Sequence, residues 1–368
     1  MRSWTWDEVR SRRLSRSHLA ARAPATGLVE VVRDVGGIHA QVMGSAELQL
    51  AARVDGITQA DVREALWERR ELAKTWTLRG TLHLHPADEV RLWTAARRAV
   101  LGDADREADS LANLNAVVAA IGDALRGRQL TREALADEVA AVVGEEPRPQ
   151  LESGWGYYLG DAAESDELCF GPPEGAKVTF VHPDDWLGAR ASHESEAALR
   201  EVACRYLEAY GPATHREFRK WFSSRSFSPA AAAEVFAELD LVDVDVEGRG
   251  ALLLDDEEPT SGASSVRLLP EYDVYVMGFR EREQLVPAAV QERVAVHGKG
   301  RYEGAAATPF LLVDGVCAGI WRRRKGSKKI ELTVEPAKRL TREQKAGVEA
   351  EAERIGAFLG LEPVLTLT

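Results

Sequence analysis

Two side chains able to handle a proton and a water molecule stand one residue apart, at His39 and Gln41. A neutral imidazole accepts a proton, and a carboxamide orients water through its carbonyl oxygen without being a base. To act together they must share a face. Residues i and i+2 project about 200° apart on a helix, but they lie on the same side of an extended segment. The pair therefore requires the chain to leave regular helix near position 40, and Gly36, Gly37 and Gly44 make that irregularity easy. His83 and His85 also alternate on one face of a strand, as two metal ligands would. Zinc needs a third protein ligand, and no nearby Cys, Asp or Glu has suitable spacing, so no metal is expected. The two histidines then read as a polar strand face, available to DNA.

The elements that position these residues follow from the periodicity. Helices over 5–22 and 27–38 deliver the chain to His39, and a third over 58–68 opens at Thr58 with Asp61 three residues on. Alternating residues over 72–86, with Arg79-Gly80 at the turn, predict a β hairpin. Three helices closed by a β element is the order of a winged helix. The order returns over 111–181, where Trp155 to Ala163 forms the last helix, and again over 194–254. Beyond an acidic, Ser-containing stretch, strand-like pieces at 266–277, 307–313, 316–321 and 330–334 predict a small β-barrel or curled sheet, with Asp314-Gly315 as a hairpin turn. A helix over 341–359 follows. The expected fold is α+β: three tandem winged-helix units at 1–106, 107–192 and 193–262, then a β-barrel with a terminal helix at 263–368.

Composition narrows the function. A chain of 368 residues that is 45% hydrophobic can bury several cores. The three cysteines, Cys169, Cys204 and Cys317, are far apart and odd in number, which fits a reducing, cytoplasmic compartment. The N-terminus lacks the apolar core of a signal peptide, and nowhere do 18 apolar residues run together, so no membrane partner is expected. A net charge of −12 argues against nucleic acid only if charge is evenly spread. It is not: basic residues gather in Arg10, Arg12, Arg13 and Arg16, in Arg216, Arg219 and Lys220, and in Arg322-Arg323-Arg324-Lys325.

The order of several short motifs is distinctive. Ile38-His39-Ala40-Gln41 with Arg53, Leu78-Arg79-Gly80-Thr81-Leu82-His83, Asp185-Trp186, Tyr210-Gly211-Pro212, Leu268-Leu269-Pro270-Glu271-Tyr272-Asp273 and Gly319-Ile320-Trp321-Arg322 follow one another along nearly the whole chain. In this the sequence resembles the AlkZ-like (YcaQ-type) winged-helix DNA glycosylases. The resemblance implies a concave scaffold of three winged helices and a β-barrel that binds double-stranded DNA carrying alkylated bases. It implies monofunctional hydrolysis of the N-glycosidic bond of alkylated purines, including bulky N7-alkylguanine adducts and interstrand crosslinks, by a monomer without cofactor. The family's chemistry is attributed to a Gln-hydrophobic-Gln motif, with a Gln-hydrophobic-Asp variant. Here His39-Ala40-Gln41 occupies that position, so His39 and Gln41 are the expected catalytic pair. An N7-alkylated guanine is already a cationic leaving group, and the remaining task is to hold a water against the anomeric carbon. Asp273 is a possible accessory group whose ordinary role would be a turn carboxylate bonded to backbone amides. Lys74, Arg79, Arg219, Lys220, Arg322, Arg323, Arg324 and Lys325 are the candidate phosphate contacts. The replaced first Gln leaves one alternative: a non-catalytic winged-helix DNA-binding protein, either a regulator or a lesion-recognition module.

Overall fold

Side chains within three residues of a helix start decide where several helices begin. The computed structural model describes residues 2–101, 108–154, 156–223, 227–255, 257–259, 261–262, 264–278, 282–297 and 307–368. In it, Thr5 and Glu8 close a capping box at helix Trp6–Arg16, and Thr341 and Gln344 close another at helix Arg342–Leu359. Thr131 and Ser228 cap helices Arg132–Val143 and Pro229–Ala237 through single hydroxyl acceptors. Two compact units divide the chain. The first comprises Met1–Val62, Cys204–Trp221 and Leu239–Thr368, and the second Arg63–Ala203 and Phe222–Glu238.

In the first unit, strand Arg2–Trp4 pairs in parallel with Val242–Val246, which turns back through Glu247 and Gly248 into Arg249–Leu253. Trp4, Val9, Val244, Val246 and Leu253 bury together on this sheet. The expected first helix over 5–22 stops at Arg16, and His18 has φ 54°, a left-handed value that ends it. Its basic face is largely internal. Arg12 donates to the carbonyls of Glu208 and Gly211 at 3.0 Å each, and Arg13 to that of Pro212 at 2.9 Å. Those guanidiniums serve backbone acceptors that would otherwise be buried without partners.

The C-terminal part of this unit is a five-stranded sheet in the order Val266–Leu269, Phe310–Val313, Val316–Lys325, Lys329–Pro336, Glu362–Leu367. The first four strands are antiparallel to their neighbours and the last is parallel. The sheet is a curled half-barrel, the open one of the two forms that the short strands allow. The reason is packing: helix Arg342–Leu359 lies against both edge strands, occupying the side where closure would occur. Gly360, at φ 65°, ends that helix and returns the chain into the last strand. Leu14, Leu269, Tyr275, Val290, Val294, Phe310 and Ile320 share the core beneath the sheet. The expected strand over 266–277 breaks after Leu269, and Val274–Gly278 is helical.

The second unit contains the hairpin Leu72–Trp76 and Leu82–Pro86, turning through Arg79 and Gly80 at φ 57° and 68°. It also contains a sheet in the order Gln129–Thr131, Lys177–Val181, Cys169–Glu174. Trp76, Leu82, Val117, Ile121, Leu135, Phe170 and Phe180 form its core. Trp155 lies outside the described residues, and the helix expected there begins at Tyr157. Helices Met43–Ala51, Val90–Leu101 and Ala288–His297 are additions to the sequence expectation. Among the described residues no helix is long and apolar enough to cross a membrane.

Candidate active site

The segment carrying His39 and Gln41 leaves helix as their spacing requires. Helix Leu28–Asp34 ends short of the predicted Ile38, because Gly36 and Gly37 take φ 69° and 96°. Ile38–His39 is a two-residue strand, Gln41 sits in a bend, and helix Met43–Ala51 starts directly after. Gly44 belongs to that helix and contributes no irregularity of its own. The hydroxyl of Tyr210 donates to Val35 O at 2.8 Å and anchors the approach to the motif. Burial separates the two side chains: His39 is 4% exposed, whereas Gln41 is exposed to solvent. The imidazole is thus largely withdrawn from water, and the carboxamide meets whatever arrives.

A buried polar lattice holds this segment. Gln49 is fully buried, its Nε2 donates to His39 O at 3.0 Å, and its Oε1 accepts from Val274 N at 3.2 Å. One turn on, Arg53 makes a bidentate pair with Asp273 at 2.8 and 2.7 Å, both side chains wholly buried, and donates to Gln49 O at 2.9 Å. Asp273 Oδ1 also accepts from Tyr275 N at 2.9 Å. Between these anchors the 271–274 turn carries Tyr272 at φ 60°, an uncommon backbone state for a bulky residue. Its ring centroid stands 5.0 Å from that of His39, tilted by 31°. Ser45 Oγ donates to Glu271 O, and the Glu271 carboxylate takes both terminal nitrogens of Arg323 at 2.7 Å. Helix Met43–Ala51 therefore ties the motif to a turn over 220 residues away in sequence.

Several expectations change at this level. Asp273 does bond a backbone amide, but its main partner is Arg53, and both its oxygens are taken. Arg323 supports the turn beside Tyr272 instead of standing free. Arg324 pairs with Glu331, directly opposite on the adjacent strand, at 2.8 and 2.7 Å, and Arg322 pairs with Glu335, while Lys325 is exposed. Arg219 is half-buried and Lys220 exposed on helix His215–Phe222. In the second unit, Lys74 lies 4.8 Å over the Phe170 ring and Arg79 forms the hairpin turn. His83 and His85 are fully buried, so they are no polar face toward DNA. His85 stacks on Trp93 at 4.4 Å and is hydrogen-bonded to the Thr77 hydroxyl at 2.9 Å, and burial drives its pKa down to about 3. Among the described residues no three His, Cys, Asp or Glu side chains converge as a metal-ligand set. Gln49 is the residue that sequence reasoning passed over. Its signal was a lone amide inside the apolar run Leu48-Gln49-Leu50-Ala51.

Comparison with known proteins gives three findings. Residues 32–358 match a family described as AlkZ-like, DNA glycosylase AlkZ-like. A relative described as an interstrand DNA cross-link repair glycosylase, from Streptomyces sahachiroi, is 30% identical over 383 residues, covering 97% of each chain. The solved structure of Streptomyces sahachiroi DNA glycosylase AlkZ superposes with a TM-score of 0.84 at 29% identity and 100% coverage of both chains.

Proposed function

The chain belongs to the AlkZ-like family of DNA glycosylases, and from that premise we propose that it releases alkylated purines, N7-alkylguanine above all, with His39 and Gln41 governing the attacking water. The observation that carries this reading is the His39–Gln41 segment itself. It leaves helix between Gly36 and Met43, with His39 on a short strand and Gln41 in a bend, its imidazole is buried and its amide exposed, and Gln49 holds its backbone by a buried hydrogen bond. In the proposed reaction water oxygen attacks C1′ as the C1′–N9 bond breaks. The purine leaves with the bonding pair, which cancels its N7 positive charge, and His39 takes the proton from water. An abasic sugar remains. General-base help of this kind is worth about 10²- to 10⁴-fold, and water positioning by Gln41 adds several kcal/mol at most.

An interstrand cross-link between guanines is a bulky form of the same cationic lesion, and the name of the Streptomyces sahachiroi relative supports it as a substrate here. The same reading divides the chain into winged helices at 1–106, 107–192 and 193–262 and assigns phosphate contacts to Lys74, Arg79, Arg219, Lys220, Arg322, Arg323, Arg324 and Lys325. Arg324 lies in an exposed ion pair, which is worth about 1 kcal/mol or less and yields readily to a phosphate, while Arg322 is itself exposed beside a buried Glu335. The test is base release in EDTA from duplexes carrying one N7-methylguanine or one N7-guanine cross-link. Free base should appear from both. A duplex left intact in both cases overturns the proposal.

A further inference from the structure

The first unit also holds a cleft of about 300 Å³ whose walls include four cations, Arg293, Lys338, Arg339 and Lys345, and no aspartate or glutamate. The four come from three segments: helix Ala288–His297, the connection after strand Lys329–Pro336, and helix Arg342–Leu359. None of them forms an ion pair or a side-chain hydrogen bond among the described residues. That sets them apart from Arg12, Arg22, Arg53, Arg97, Arg148 and Arg190, all matched to carboxylates.

The backbone keeps these charges together. Pro336 and Leu340 are buried on either side of Lys338 and Arg339, and the intervening Ala337 N donates to Ala318 O at 2.8 Å. Lys338 and Arg339 are thereby forced outward, and Lys345, also exposed, faces the same cleft one turn into its helix. On a chain of net charge −12 such a site concentrates anions locally.

We propose that this cleft grips the phosphodiester backbone of duplex DNA, a contact that positions the duplex without reading base or lesion. The inference rests on the DNA glycosylase reading. A polyanion fits better than a single phosphate, because three of the cations are exposed and no buried donors converge on one point. Duplex DNA presents a charge every ~1.7 Å along its axis and can engage several cations at once.

The test uses the full chain and an undamaged duplex of ~25 base pairs, with affinity measured across a salt series. Each lost phosphate contact lowers the slope of log K against log salt by about 0.9. K338Q/R339Q should therefore flatten it by about 2, and R293Q/K345Q by a similar amount. Single-turnover base release at saturating enzyme should stay at the wild-type rate. A control, K177Q/R200Q, removes two cations that pair with Glu133 and Glu238 in the second unit and should leave the slope unchanged. An unchanged slope in the cleft variants, with base release intact, overturns this proposal alone. So does an equal loss in the control, which would mark a net-charge effect. Inorganic phosphate at matched ionic strength should not displace the duplex from the wild type more than chloride does. Displacement that the cleft variants abolish would instead make this a small-anion site. If the wild type neither binds duplex nor releases base, the glycosylase reading falls and this inference with it.

Discussion

An imidazole at position 39 gives the proposed site an ionisable group. If His39 takes a proton from water, base release should fall on acidification as the imidazole becomes charged. A profile that stays flat over the whole acidic range in which the chain is folded contradicts the base role and leaves only water orientation. His39→Gln restores the family's amide and should flatten the acid limb while retaining a slower reaction, read by single-turnover rates across pH. The neighbouring amide at Gln49 has a different task. Gln49→Met keeps the volume but removes the hydrogen bonds to His39 O and Val274 N, at a cost of about 1–3 kcal/mol for a buried group left unsatisfied. The denaturant midpoint should drop accordingly, and a change under about 0.5 kcal/mol would mean that the lattice contributes little.

Helix Met43–Ala51 with the residues just after it and the turn at 271–274 form a clamp closed by the wholly buried Arg53–Asp273 pair. Arg53→Met strands a buried carboxylate and should destabilise by about 3–5 kcal/mol, whereas Arg53→Met with Asp273→Leu should recover much of that loss. Equal instability in the single and double variants would assign the effect to packing instead. On the hairpin of the second unit, His85 is held near pKa 3, below the ordinary 6.5 of an exposed imidazole. Between those values the unfolded chain binds a proton that the folded chain refuses. Its contribution is therefore complete above pH 6.5 and is lost as pH falls toward 3, about 2 kcal/mol by pH 5. Denaturation at pH 7 and pH 5 should show this loss, and His85→Phe should remove most of it. The activity profile for His39 must accordingly be taken where circular dichroism shows the chain folded. Elements decided by near neighbours were legible in the sequence: Thr5 and Thr341 cap helices within a residue of their expected starts. Elements decided by packing were not. Helix Met43–Ala51 has a weak apolar pattern, because its inward positions include Ser45, Glu47 and Gln49. The half-barrel depends on where helix Arg342–Leu359 packs, which no strand pattern encodes.

Across the whole chain, charge and site follow the same logic of legibility. His39 and Gln41 stood out because of local spacing and flanking glycines, and the chain leaves helix there, with His39 at the end of a two-residue strand and Gln41 in a bend. The lattice behind them joins Arg53 to Asp273 across 220 residues, a relation that no local pattern carries. Basic runs were equally visible, but their partners were not. The densest one, Arg322 to Lys325, is mostly matched to Glu335, Glu271 and Glu331, whereas the scattered Arg293, Lys338, Arg339 and Lys345 share a cleft without an acidic side chain. The account's central claim is that the His39–Gln41 pair performs the hydrolysis. It is tested most directly by single-turnover release of N7-methylguanine from duplex DNA, comparing wild type with His39→Ala and Gln41→Ala at enzyme concentrations that saturate binding. The account predicts a loss of at least ~10²-fold for His39→Ala and a clear loss for Gln41→Ala, with folding and DNA affinity retained. Release within about twofold of wild type in both variants would contradict it.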